Sequence, residues 1–324
     1  MANNNGKKGA KQQRAQSNRK AREEAAARAR EEQLARERKQ QTIIGAAVVA
    51  MVVALIALIV GIIVYQSHKK AEEAKITSSQ TYATLQKVKT KPAKADDKGG
   101  FLISKNGIAK SVSGAPTVEI YMDPICPGCG SLHRQIDDDL QKMVNAGQIN
   151  LVYHSASFLD GSSTDKYSTR ASGAVAYIAS HDNDKDHLMR FVANLYSEDF
   201  QPGEASDYKP TSNDQIKAQA IKAGVPKNVA DKAFDGRYTA WLDAVDNYTM
   251  KRNDLLNTDG QLKGQMSTPT VTINGKLLSM NRLSELNLTQ KTGLLKSIGL
   301  KPSDVGHAGV MPKIGEKGKP IDLG

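Results

Sequence analysis

The sequence predicts an α/β fold interrupted by a long helical block and preceded by a single membrane-spanning helix. Three observations predict it. From Pro116 the pattern reads strand, then a cysteine pair opening a helix, then strand, as a βαβ unit does. About 110 residues of helical pattern follow, and strand pattern returns at "STPTVTINGKLLS". Upstream, Ile43 to Tyr65 forms a run of 23 residues without a charge, and about 20 apolar residues are enough to cross a bilayer as a helix.

That run has no polar face over six helical turns, which argues against a buried core helix. A cleavable signal peptide fits poorly, because a 42-residue leader precedes it and "QSHKKAEEAK" stands where a small-residue cleavage site belongs. It reads as an uncleaved signal anchor over residues 43–65. Residues 1–42 carry 12 Lys or Arg against 5 Glu. Basic residues beside a span stay on the cytoplasmic side, so this leader is predicted to be cytoplasmic and everything after residue 65 extracytoplasmic. The net charge of +11 then divides into +7 in the leader and +4 in the remaining 282 residues. This leaves no basic nucleic-acid-binding domain, and the leader's charge suits topology and attraction to anionic lipid in the bilayer.

Residues 66–98 are short of large apolar side chains and read as a linker to the bilayer. The folded domain is predicted over residues 99–300. "FLISKNGIAKSV" reads as two short strands joined at Asn106-Gly107, a favoured hairpin turn. "PTVEIYMD" is a strand, and "GSLHRQIDDDLQKMVNAG" puts Leu132, Ile136, Leu140 and Met143 on one helical face before Gly147 ends it. "INLVYHSA" is the next strand. A helical insert covers about residues 160–262, two strands flank Asn274-Gly275, and a last helix covers about Leu288 to Ile298. Residues 301–324, rich in Pro, Gly and Lys, read as a flexible tail. Trp241, the only tryptophan, is read as core packing of the last insert helix, with a contact near the dithiol as the alternative.

Two cysteines in 324 residues exclude a disulfide-stapled scaffold. Cys126 and Cys129 are separated by two residues at a helix start, so their sulfurs can meet without movement of the chain. Unpaired N–H groups and the positive end of the helix dipole favour thiolate at Cys126, while Cys129 faces inward as the resolving partner. Stabilising the thiolate stabilises the reduced form and makes the disulfide a stronger oxidant. Pro127 suits the first helical turn because it needs no N–H donor. Three other readings compete. A structural disulfide would close too short a loop to stabilise a 200-residue domain much. Zinc on Cys126, Cys129 and His133 lacks a fourth ligand, and His133 reads equally well as a solvated helix residue. Haem attachment needs His directly after the second cysteine, where Gly130 stands. Neither a metal nor any other cofactor is therefore predicted.

"DPICPGCGSL", "YSTRASGAVAYIA" and "TPTVTING", in this order and separated by helical sequence, resemble the DsbA-like thiol-disulfide oxidoreductases, with the membrane-anchored versions of Gram-positive bacteria most similar. The resemblance covers about residues 100–300. It implies a thioredoxin-like fold with an inserted helical domain, Cys126 as the nucleophile that forms a mixed disulfide, and Cys129 as its buried partner. It also implies that Thr268 and Pro269 bind substrate backbone through a cis peptide bond, and that Pro127 and Gly128 tune the redox potential. By spacing alone Pro269 reads as an ordinary trans proline opening an edge strand. Two positions depart from the family pattern. The buried acid often found six residues before the first cysteine is Ile120 here, leaving Glu119 or Asp123 to handle the Cys129 proton, with strand alternation turning Glu119 away from Ile120. Ser267 stands where the family often has Gly.

The function predicted from these residues is an extracytoplasmic oxidase that donates the Cys126–Cys129 disulfide to exported proteins with reduced cysteines. The resemblance implies a membrane re-oxidant of DsbB or VKOR type as partner. A tethered reductase or isomerase shares the same chemistry, and a non-catalytic binding module shares the same fold.

Overall fold

The computed structural model describes residues 76–323; the predicted leader, the predicted span and the first ten residues of the predicted linker lie outside them. Among the described residues no helix is long and apolar enough to cross a membrane.

A six-stranded sheet with the order β2-β1-β4-β3-β5-β6 forms the centre. Its strands are β1 (Phe101–Ser104), β2 (Gly107–Ile108), β3 (Thr117–Met122), β4 (Asn150–Ser155), β5 (Thr270–Ile273) and β6 (Lys276–Leu278). Only β3 and β4 run parallel, in register from Thr117↔Asn150 to Met122↔Ser155, and β3 pairs antiparallel with β5 on its other side. A parallel pair needs a crossover, which α2 (Pro127–Ala146) supplies. Its apolar residues Leu132, Ile136, Leu140 and Met143 are buried, and Gly147 closes it in the left-handed conformation at φ 72°. This is the predicted βαβ unit with the cysteine pair at its first turn.

The helical block also follows the pattern: α3 (Tyr167–His181), α4 (Lys185–Leu195), α5 (Asn213–Lys222), α6 (Lys227–Ala230) and α7 (Thr239–Thr249). Asn274 and Gly275 both take positive φ, 49° and 74°, which a two-residue type I′ hairpin between right-twisted strands requires. The first hairpin differs by one residue from the predicted turn. Ser104 pairs with Gly107, so the turn is Lys105-Asn106 and Gly107 already belongs to β2. The sequence pattern also missed α8 (Met280–Glu285), a short helix before α9 (Gln290–Ile298) that buries only Leu283.

The predicted linker and tail are both packed where they are described. In α1 (Ser78–Lys87), Thr77 and Gln80 form a reciprocal capping box and Leu85 is 2% exposed. The ring of Tyr82 lies 5.1 Å from that of Tyr248 in α7, and its hydroxyl donates to Asp97 at 2.7 Å. Two apolar side chains and a cap thus dock a segment too polar to look folded. At the other end, buried Gln148 donates to the carbonyls of Asp304 and Val310, both at 2.8 Å, and accepts from the Gly306 N–H at 2.9 Å. Further on, Lys313 N donates to Gly299 O at 3.1 Å and Ile321 N to Ser297 O at 2.8 Å. The tail is held mainly through its backbone, which apolar periodicity does not register. Trp241 is core packing, with its ring 5.9 Å from Phe101 and 6.4 Å from Tyr238.

Leu85→Ala should lower the free energy of unfolding by about 2–4 kcal/mol, measured by urea denaturation; a loss under about 0.5 kcal/mol would mean that α1 is a tether after all.

Candidate active site

Cys126 is the N-cap residue of α2, with extended backbone, and Pro127 occupies the first helical position. Both cysteines are free thiols. Cys129, one turn into the helix, is fully buried, while Cys126 retains 6% exposure. The Cys126 thiol donates to the Thr268 carbonyl at 3.3 Å. The Thr268–Pro269 peptide is cis, as the resemblance implied and spacing alone did not. A Cβ placed on Gly128 would lie 3.0 Å from Pro269 Cδ, so the dipeptide between the cysteines and the proline form one surface. The six predicted site residues, Cys126, Pro127, Gly128, Cys129, Thr268 and Pro269, therefore converge across about 140 residues of sequence.

The two sulfurs differ sharply in environment. A hydrogen bond from the Cys129 thiol is the largest influence lowering the Cys126 pKa to about 6, with the Thr268 side chain and the N–H groups of Cys129 and Gly128 adding to it against burial. Burial pushes the Cys129 thiol well above its ordinary value, and its hydrogen bond to Cys126 and the Cys126 charge push it the same way. One sulfur is poised as thiolate at neutral pH, and the other keeps its proton until something takes it.

Geometry separates the two candidate acids. Glu119 lies on the Tyr121 side of β3 and accepts from the Tyr121 hydroxyl at 3.0 Å and contacts His154 Nε2 at 3.1 Å. Burial would raise its pKa, but His154, Tyr121 and Arg252 together hold it at about 2, so it is a fixed charge in a structural network. Asp123 instead sits at the dithiol, where its backbone N–H donates to Cys129 Sγ at 3.5 Å. Its carboxylate accepts from Ser168 Oγ at 2.5 Å, Leu159 N at 2.9 Å and Ile125 N at 3.1 Å. Burial nevertheless raises the Asp123 pKa to about 7, these three bonds offsetting only part of the effect.

His133 is buried rather than solvated. Its Nδ1 contacts Asp137 Oδ1 at 2.8 Å, and its ring stacks on Tyr196 at 4.1 Å and 2°. Ser267, the departure before the Thr-Pro pair, has its carbonyl taken by Thr270 Oγ1 at 2.6 Å and its hydroxyl oxygen by Asn257 Nδ2 at 3.0 Å. Sequence reasoning missed Ser168 as the residue that seats Asp123, although it lies within the quoted "YSTRASGAVAYIA". A side chain 45 residues from Asp123 along the chain carries no local signal of that contact.

An ionisable thiol at a helix start, a thiol partner that stays protonated and a backbone carbonyl beside them define a thiol-disulfide oxidoreductase site on a thioredoxin-type sheet. The family model described as Thioredoxin matches residues 112–288, more than half of the chain, and the chain belongs to that family. Among curated proteins, the serine/threonine-protein kinase PknE of Mycobacterium tuberculosis is 39% identical over 109 residues, covering 32% of this chain and 19% of the kinase. The chain thus spans about a fifth of the length of the kinase it matches. Among solved structures, the reduced form of DsbG from Mycobacterium tuberculosis is similar at 26% identity and a TM-score of 0.42, over 58% of this chain and 77% of that one. The oxidised DsbA of the same organism is 25% identical with a TM-score of 0.44, over 58% and 91%. The MdbA thiol-disulfide oxidoreductase of Actinomyces oris is 15% identical with a TM-score of 0.47, over 69% and 92%.

Alkylation of the reduced chain by iodoacetamide should modify Cys126 with a rate that rises through a midpoint near pH 6 while Cys129 stays unmodified. Because the folded pKa of Cys126 lies below its unfolded value, the stability it contributes is full above about pH 9 and is lost as the pH falls through about 6. Reduced wild type should therefore gain stability over Cys126→Ser across that window, by a few kcal/mol on the order of magnitude, in paired urea titrations. Asp123 has the opposite sign: its raised pKa contributes stability below about pH 4 that is lost as the pH rises through about 7. In Asp123→Asn the rate of disulfide closure by Cys129 should fall and lose its inflection near pH 7, measured by quenched-flow trapping of the mixed disulfide.

Proposed function

We propose that the protein is an extracytoplasmic disulfide oxidase, tethered to the bilayer through residues 43–65 with its basic leader in the cytoplasm. The observation that carries this reading is the unequal pair of sulfurs. A thiolate stabilised at Cys126 favours the dithiol over the disulfide, and a pair that prefers to be reduced is an oxidant toward other thiols.

In each cycle a substrate thiolate attacks Cys126 Sγ of the disulfide. The sulfur–sulfur bond breaks, its electron pair leaves on Cys129, and a mixed disulfide forms at Cys126. Cys129 takes up a proton, and Asp123, a buried acid whose backbone N–H contacts the Cys129 sulfur at 3.5 Å, is its donor in this reading. A second substrate thiolate then attacks the substrate sulfur of the mixed disulfide, and Cys126 leaves as a thiolate. Its low pKa makes it a good leaving group at that step. During both steps Thr268 and Pro269 are the backbone surface on which an extended substrate segment lies. The substrates are exported proteins with reduced cysteines, and the dithiol is returned to the disulfide by a membrane re-oxidant of DsbB or VKOR type.

The equilibrium of the chain with glutathione decides the direction. A reduction potential well above the about −270 mV of thioredoxin is expected, read by trapping free thiols across a glutathione redox series. A value at or below that of thioredoxin would assign the chain to a tethered reductase instead. Cys126→Ala should abolish oxidation of a reduced protein substrate altogether, and retention of biological activity in that variant would favour a binding module.

A further inference from the structure

We propose that Gln201, supplied by the helical insert, is a positioning residue for the dithiol, holding the carbonyls of the cysteine loop so that its N–H groups remain turned to Cys126. This rests on the thiol-exchange reading of the site.

Gln201 follows α4, and its own N–H donates to Ser197 O at 2.9 Å. Its side chain reaches across to the loop before α2, where Nε2 donates to Cys126 O at 2.9 Å and to Pro124 O at 3.2 Å. Its Oε1 accepts from Arg134 Nη1 at 3.2 Å, and the same nitrogen donates to Tyr196 O at 2.8 Å. The amide orientation is forced by chemistry. Carbonyls only accept and a guanidinium only donates, so turning the amide over would break three contacts at once.

The sequence of α2 keeps a place for this side chain. A Cβ on Gly130 would lie 2.0 Å from Gln201 Oε1 and 2.6 Å from Arg134 Nη1. Gly130 directly follows Cys129 inside a helix, where Ala would be favoured by about 1 kcal/mol, and an Ala there would require the Gln201 amide to move off its present position.

The consequence falls on Cys126. Its carbonyl accepts from Gly130 N at 3.1 Å as well as from Gln201, so the first rung of α2 and the insert fix the same peptide group. With the Pro124 and Cys126 carbonyls both committed toward Gln201, their negative ends are held by donors. Without Gln201 the Cys126 carbonyl keeps only Gly130 N and the Pro124 carbonyl is free to turn toward the sulfur, which disfavours thiolate. The insert thereby sets part of the redox poise through a group that touches neither sulfur.

The test compares the full reduced chain with three variants. Gln201→Glu keeps the length and the Arg134 contact but faces two carbonyls with an oxygen; Gln201→Met keeps the volume without polar atoms. Gly130→Ala leaves Gln201 chemically intact and displaces it while improving helix propensity. Thiolate absorbance at 240 nm reads the Cys126 titration, and trapped thiols read the equilibrium with glutathione. All three variants should raise the midpoint of the titration and shift the glutathione equilibrium toward the disulfide form of the protein by about threefold to tenfold, the equivalent of one hydrogen bond. Variants that lower only the thermal midpoint, with the Cys126 titration and the equilibrium unchanged, would overturn the proposal. If one glutamine variant fails to fold, Gly130→Ala gives the same readout. Absence of glutathione exchange in the wild type would refute the exchange reading, while the thiolate titration would still judge Gln201.

Discussion

Everything in this site depends on a difference in solvation between two sulfurs separated by one helical turn. Cys126 stands where α2 begins, before the helix has used its first N–H groups, and Cys129 stands where the helix has already entered the core. The backbone sets where each sulfur stands. The surrounding residues amplify the difference: the Cys129 thiol donates to the thiolate, the Thr268–Pro269 segment covers it from the opposite strand, and the core denies charge to the inner sulfur.

The helical insert is part of this arrangement and not an appendage. Asp123 is buried because Leu159 and Ser168, from the start of the insert, close over it. A second buried acid, Asp246 of α7, accepts from both the N–H and the hydroxyl of Ser157, where the chain leaves β4, at 2.9 and 2.6 Å. Burial raises its pKa to about 7 as well. The junction between sheet and insert is thus fastened by carboxylates that accept backbone N–H groups, contacts that hold direction as well as distance.

What the sequence discloses follows from how each contact is encoded. The βαβ unit, the insert helices and the Asn274-Gly275 hairpin are written locally, in periodicity and turn chemistry, and were legible. The cysteine pair at the strand-to-helix junction was legible for the same reason, and strand alternation correctly turned Glu119 away. The docking of α1 was not, because Leu85 and Tyr82 are too few to make a pattern. The packing of the tail was not, because Gln148 captures backbone carbonyls that every residue possesses. Gln201 was invisible because a polar residue in a loop near Pro and Gly reads as solvent-facing until the partner carbonyls are known. The choice of Asp123 needed the insert folded over it.

The close approach of Gly128 to Pro269 gives this site a particular constraint. Here a side chain at position 128 would press on the surface where the substrate backbone is proposed to lie. A bulkier residue at position 128 would displace Pro269 and at the same time crowd the Cys126 sulfur, 3.7 Å from the same Cβ. The dithiol and the cis-proline surface are mechanically linked in this protein, and a change at position 128 reaches both.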